Sequence, residues 1–181
     1  RETYKTALNL TPHARNEPEW RARILHHIAN LDEQRLNWRD AIRSYEDIIH
    51  IHPDDEEAYI ALFRLYPRVG KPHLGVNVLD KLIRNYLQKR DIKRVLSLLE
   101  DLIEEEPENI RLRARITQLY TKMGKREKAI SHLDVLGDLQ LDAGKKEAAI
   151  KTIETILSLK PPDRNAYADL YRELAGHEPP A

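Results

Sequence analysis

The stretch "LYTKMGKREKAISHL", residues 119–133, sets a glycine before a run of charge, then an alanine, then apolar residues at helical spacing. Gly124 reads as the end of one helix, because the left-handed conformation that closes a helix is cheap for glycine. Lys125, Arg126, Glu127 and Lys128 form the exposed turn and the first turn of the next helix. Ala129 marks a close helix approach where a larger side chain fits poorly, and Ile130, Leu133 and Leu136 take the core face. The same pattern is spelled "VGKPHLGVNVL" at 69–79, "NWRDAIRSY" at 37–45 and "AGKKEAAIKTI" at 143–153.

These turns belong to a longer period. Pro53, Pro107 and Pro161 each follow a helical stretch, and both gaps are 54 residues (107 − 53 and 161 − 107). A shift of 54 superposes Leu62 on Ile116, Tyr66 on Tyr120, Gly70 on Gly124 and Leu99 on Ile153. The chain therefore repeats itself in its apolar and small residues. Apolar spacing predicts helices near 18–35, 38–51, 55–69, 72–88, 91–106, 109–123, 126–141, 145–159 and 163–175. The opening "RETYKTALNLTP" reads as the tail of an earlier helix. Asp54 or Asp55, Asn109 and Asp163 are the expected N-caps. Connections this short make neighbouring helices antiparallel.

The fold class expected is all-α: a right-handed α-solenoid of antiparallel helix hairpins, about nine helices in one domain over 1–181. Its units are 1–53, 54–107 and 108–161, with a terminal helix at 162–175. The chain starts at Arg1 without Met, so it reads as a fragment of a longer array.

Composition agrees with an elongated repeat. Charged residues make up 33% and hydrophobic residues 41% of the 181 residues. Net charge is zero, which disfavours nucleic acid and anionic membrane as partners. There is no cysteine, hence no disulfide or thiolate chemistry, and no apolar run long enough to span a bilayer. With no signal-like segment, a cytoplasmic location is expected. The eight histidines fall at "HH" 26–27, "HIH" 50–52 and isolated sites, without the same-face spacing a metal needs. No phosphate loop, nucleophile elbow or zinc-binding helix motif occurs, so no enzyme, metal or cofactor is expected.

The residues resemble the tetratricopeptide repeat family, which alternates two helices, A and B. Tyr59, Leu62, Phe63 and Tyr66 hold the helix-A positions, as do Arg113, Ile116, Thr117 and Tyr120. Ala41, Tyr45 and Pro53 match helix B, as do Ala149, Ile153 and Pro161; Val95, Leu99 and Pro107 match with Val for Ala. The helices at 72–88 and 126–141 carry both signatures, which is what stretches the period to 54.

The resemblance implies a protein–protein interaction scaffold that takes a peptide or partner on a concave face lined by A helices. Projected onto this chain, that face holds His26 and Asn30, Arg64 and Arg68, Arg84, and Arg111, Arg115, Gln118 and Lys122. It also takes Arg23, Asn77 and Ala114. Such a surface is rich in guanidinium, which suits an acidic peptide. The bland reading is a solvated charged face. The alternative function is a structural spacer or a self-assembly module forming homo-oligomers, with Trp20, Trp38, Tyr167, Leu170 and Tyr171 between chains.

Overall fold

The computed structural model describes residues 18–180 and, apart from these, Thr6. The expected helix tail ahead of Pro12 lies outside the described residues. Among those described there are nine α-helices and no strand. They are α1 (Pro18–Gln34), α2 (Trp38–Ile51), α3 (Glu56–Arg68), α4 (Pro72–Gln88), α5 (Ile92–Glu105), α6 (Ile110–Lys122), α7 (Arg126–Asp142), α8 (Lys146–Ser158) and α9 (Arg164–Ala175). The first residues of α1, α4 and α7 are 18, 72 and 126, and those of α3, α6 and α9 are 56, 110 and 164. The all-α helical-repeat class read from the sequence is the class observed.

The chain forms two compact units, one ending at Asp91 and the other beginning at Ile92. In unit 1, α1 packs on α2, α2 on α3 and α3 on α4. Its core joins Leu25, Tyr45, Ile48, Leu62 and Leu65. Ala29, Ala41 and Ala58 are fully buried (0% exposed), so the helices approach through methyl-sized side chains. In unit 2, consecutive helices from α5 to α9 pack in the same way. Ala129 and Ala149 are again fully buried. Ile130, Leu133, Leu136 and Ile156 form one cluster, and Ile153, Leu157, Ala168 and Tyr171 form another.

The helix ends follow from the sequence with two exceptions. Asp55 accepts the Ala58 N–H at 2.9 Å, and Asn109 accepts the N–H groups of Arg111 and Leu112 at 3.1 and 3.2 Å. Asp163 takes the N-cap place of α9, but its carboxylate accepts no helix N–H. The second exception concerns helix C-termini. Gly70, Gly124 and Gly144 have φ of +76, +68 and +68°, as expected at closing turns. At each, the glycine N–H and the next N–H turn back onto the final turn; for Gly124 the acceptors are Thr121 O (3.0 Å) and Tyr120 O (2.9 Å, from Lys125). The same pair of bonds closes α1 at Leu36 and α4 at Arg90, where φ is 60 and 58° without a glycine.

Leu36 is therefore held in a conformation that costs an L residue about 1–2 kcal/mol, and its side chain is 68% exposed, so packing recovers little. Leu36→Gly is expected to raise the stability of unit 1 by about 0.5–1 kcal/mol once the greater freedom of unfolded glycine is deducted. Denaturation followed by tryptophan fluorescence reads this directly, because both tryptophans, Trp20 and Trp38, lie in unit 1. A lower midpoint would mean that Leu36 packs in solution.

Candidate functional site

An apolar groove lies in unit 2, across α6, α7 and α8. Its α6 wall is Ala114, Thr117, Gln118, Thr121 and Lys122, residues three and four apart and hence on one stripe. Leu133, Leu136 and Gln140 of α7 form a second side, and Ala148, Lys151, Thr152 and Thr155 of α8 a third. The volume is about 470 Å³, within the range of ligand-binding clefts. Side-chain size explains why it stays open. In α3, the helix 54 residues earlier, the places of Thr117 and Thr121 are held by Phe63 and Pro67. Threonines there and an alanine at 148 leave space over the two leucines.

The groove's polar groups are unevenly satisfied. Thr152 Oγ1 shares its proton between Gln140 Oε1 (2.7 Å) and the Ala148 carbonyl (3.1 Å), and Thr155 Oγ1 donates to the Lys151 carbonyl (2.8 Å). Thr117 is 5% exposed, and its hydroxyl has no hydrogen-bond partner. The lining contains two ammonium groups, Lys122 and Lys151, and no carboxylate. Neither lysine is in an ion pair among the described residues.

Two clefts of different character lie among the described residues of unit 1. One, about 380 Å³, is lined by Asn30, Glu33, Tyr45, Glu56, Glu57, Ile60, Ala61 and Arg64. Tyr45 OH donates to Asn30 Oδ1 (2.9 Å) and Glu33 Oε1 (2.8 Å). Burial, reinforced by that bond to Glu33, holds the Tyr45 phenol far above its ordinary range. With three glutamates against one arginine, this cleft is acidic. The other, about 270 Å³, brings together Arg39, Arg43 and Lys71 beside Glu46 and Tyr66. Arg43 also lies 3.5 Å from Asp40.

Within each unit the residues projected onto one recognition face take different places. Gln118 and Lys122 share the unit 2 groove, with Ala114. Arg111 is exposed one turn before Ala114 on the same stripe. Arg115 is half-buried and lines none of the three clefts. Asn30 and Arg64 share the acidic cleft of unit 1. His26 is half-buried, with Nε2 2.9 Å from Asp55 Oδ2 and its ring edge-on to Tyr45, so it braces the start of α3. The Arg68 guanidinium lies 4.9 Å from the centre of the Trp38 ring, joining α3 to α2. Arg84 is exposed on α4 and lines none of these three clefts.

Of the aromatic residues assigned to contacts between chains, Tyr171 is buried within unit 2 and donates to Glu154, and Tyr167 donates to Asp134 at 2.8 Å. Sequence reasoning missed Lys151, Thr152 and Gln140, as well as Arg39, Arg43 and Lys71. The charge on each helix was visible, but its neighbours on another helix were not.

Among the described residues, no group of three or more His, Cys, Asp or Glu is placed to hold a metal ion, and no helix is long and apolar enough to cross a membrane.

Helix hairpins with alanine at the crossings, closed by left-handed turns, define a helical-repeat protein. Residues 86–138 match the family model of the tetratricopeptide repeat. Over those residues the chain is similar to the tetratricopeptide repeat, the family that its motifs resemble. Three solved structures illustrate the similarity. The protein MamA is 16% identical over 82% of this chain and 93% of its own, with a TM-score of 0.42. A tetratricopeptide repeat protein from Parabacteroides merdae is 18% identical over 96% of this chain and 75% of its own, with a TM-score of 0.38. A thermophilic repeat protein of Thermus thermophilus is 19% identical over 96% and 88%, with a TM-score of 0.30. Among curated protein sequences no match is found.

Proposed function

We propose that the chain is a non-enzymatic scaffold for protein–protein contacts and that a partner segment seats in the groove across α6, α7 and α8. The repeat family supports the first part, since tetratricopeptide repeats are protein-interaction modules. One observation carries the second: a cleft of about 470 Å³ stays open over buried Leu133 and Leu136. Gln118, Lys122 and, by helical spacing, Arg111 are the projected recognition residues that this groove retains. Arg64, Arg68, Arg84 and Arg115 then serve contacts outside it.

Site-specific cross-linking tests the reading. A photoreactive amino acid at Gln118 is expected to capture a partner from a lysate of the source organism. The same group at Lys93, exposed on α5 and away from the groove, is expected not to capture it. Equal capture from both positions would place recognition elsewhere. Capture only of further copies of the chain would put self-assembly first.

A further inference from the structure

We infer that the occupant of the α6–α7–α8 groove is a partner peptide that combines an apolar side chain with one or more carboxylates; this rests on the groove being the docking site. Three features of the lining point the same way. First, its floor is Leu133 and Leu136, buried at 3% and 5% exposure, so the complement is an apolar side chain laid on them. Second, its charges are of one sign. Lys122 stands on one wall and Lys151 on the other, neither in an ion pair among the described residues, and no acidic residue lines the space. A carboxylate entering between them meets two ammonium groups with nothing to displace, whereas a basic side chain meets repulsion.

The third feature is the Thr117 hydroxyl. It is 95% buried, lines the groove and has no partner, although Thr152 and Thr155 across from it each return a hydrogen bond to the helix turn before. A buried hydroxyl left unpaired is costly, and an incoming carbonyl or carboxylate oxygen relieves that cost. The cleft therefore offers a dry floor, one unspent donor at depth and two cations at its walls. The acidic cleft of unit 1, with Glu33, Glu56 and Glu57, has the opposite preference.

Random-peptide display on the full chain tests this. The recovered peptides are expected to pair Leu, Ile or Phe with a nearby Asp or Glu. The double variant Lys122→Glu with Lys151→Glu should weaken the best of them about tenfold or more. Thr117→Val keeps the shape and removes the hydroxyl. It should weaken the same peptide about three- to tenfold while the free chain melts no lower than wild type.

Peptides without acidic residues that are still lost on Leu136→Asn would overturn the inference and keep the groove. Peptides indifferent to every groove variant would overturn the groove reading with it, as would recovery no better than on an unrelated helical protein. Elution of wild type as a dimer that the charge reversal dissociates would make a second copy of the chain the occupant and reject the peptide. A Thr117→Val chain that melts well below wild type would show the hydroxyl already spent within the fold, and that part of the inference would fall.

Discussion

Gly75→Leu is expected to destabilise unit 1 by about 3 kcal/mol or more, the upper part of the range for overpacking. The reason is a backbone contact. A Cβ at Gly75 would lie 2.8 Å from the Phe63 carbonyl oxygen and 3.5 Å from its Cα. That carbonyl belongs to α3, where Pro67 stands four residues on and has no N–H to return to it. The α4 backbone thus approaches α3 where the α3 ladder is interrupted, and any side chain at 75 pushes on main chain. Even Gly75→Ala should lower stability, although alanine in a helix interior ordinarily gains about 1 kcal/mol over glycine. Gly137 is the control. It also sits inside a helix, but a Cβ there would meet only Thr152 Cγ2, at 3.8 Å, an ordinary contact. Gly137→Ala should therefore stabilise unit 2 by up to about 1 kcal/mol. Urea unfolding by tryptophan fluorescence reads unit 1, and far-UV circular dichroism reads both units. A Gly75→Ala chain as stable as wild type or more so would show that the α3–α4 approach is looser than these distances say.

Gly75 also marks how far the sequence carries. Its place beside a close helix crossing was legible from the shift that sets Gly75 on Ala129, and Ala129 is fully buried as that reading requires. Helix starts were legible to within a residue or two, because apolar spacing, the glycines at 70, 124 and 144, and caps such as Asp55 and Asn109 agree. The left-handed turns at Leu36 and Arg90 were not marked, since the backbone bonds that close α1 and α4 hold these residues where glycine is the usual signal. The site was less legible than the fold. Ala114, Gln118 and Lys122, four residues apart on α6, line one groove. Spacing could not show that Thr152 and Lys151, some thirty residues later, complete the groove. Nor could it show that Arg68 would stack on Trp38 or that His26 would bind Asp55. A side chain's helix face is local information, whereas its partner depends on which helix packs across from it.

Raising the pH above about 10 should unfold the chain sooner than its neutral-pH stability suggests, and buried tyrosines are the cause. Five of the eight tyrosines have phenols raised by burial and then by a carboxylate that accepts their hydrogen bond. Tyr45 bonds Glu33, Tyr66 bonds Glu46, Tyr120 bonds Glu100 and Tyr171 bonds Glu154. Tyr167 bonds Asp134 and is pushed up to about 12. The sign follows from proton counts. Below about pH 10 both the folded and unfolded chains keep these protons, so stability is indifferent to them. Above it the unfolded chain releases its phenolic protons while the folded chain holds them, and stability falls until the folded phenols ionise too. One such group costs at most about 1.4 kcal/mol per pH unit, and solvent screening reduces that figure. From about pH 10 to about pH 12 the loss should reach on the order of 2–4 kcal/mol. Tyrosinate absorbance and helical circular dichroism, followed together, should change in one step, because unfolding is what lets the phenols ionise. Tyr45→Phe should be less stable at neutral pH, where Asn30 and Glu33 lose their donor, and should lose less on the way to alkaline pH. Tyrosinate forming at about pH 10 with the helices intact would mean that these hydroxyls are open to water and that the tyrosine–carboxylate bonds do little to hold the helices together.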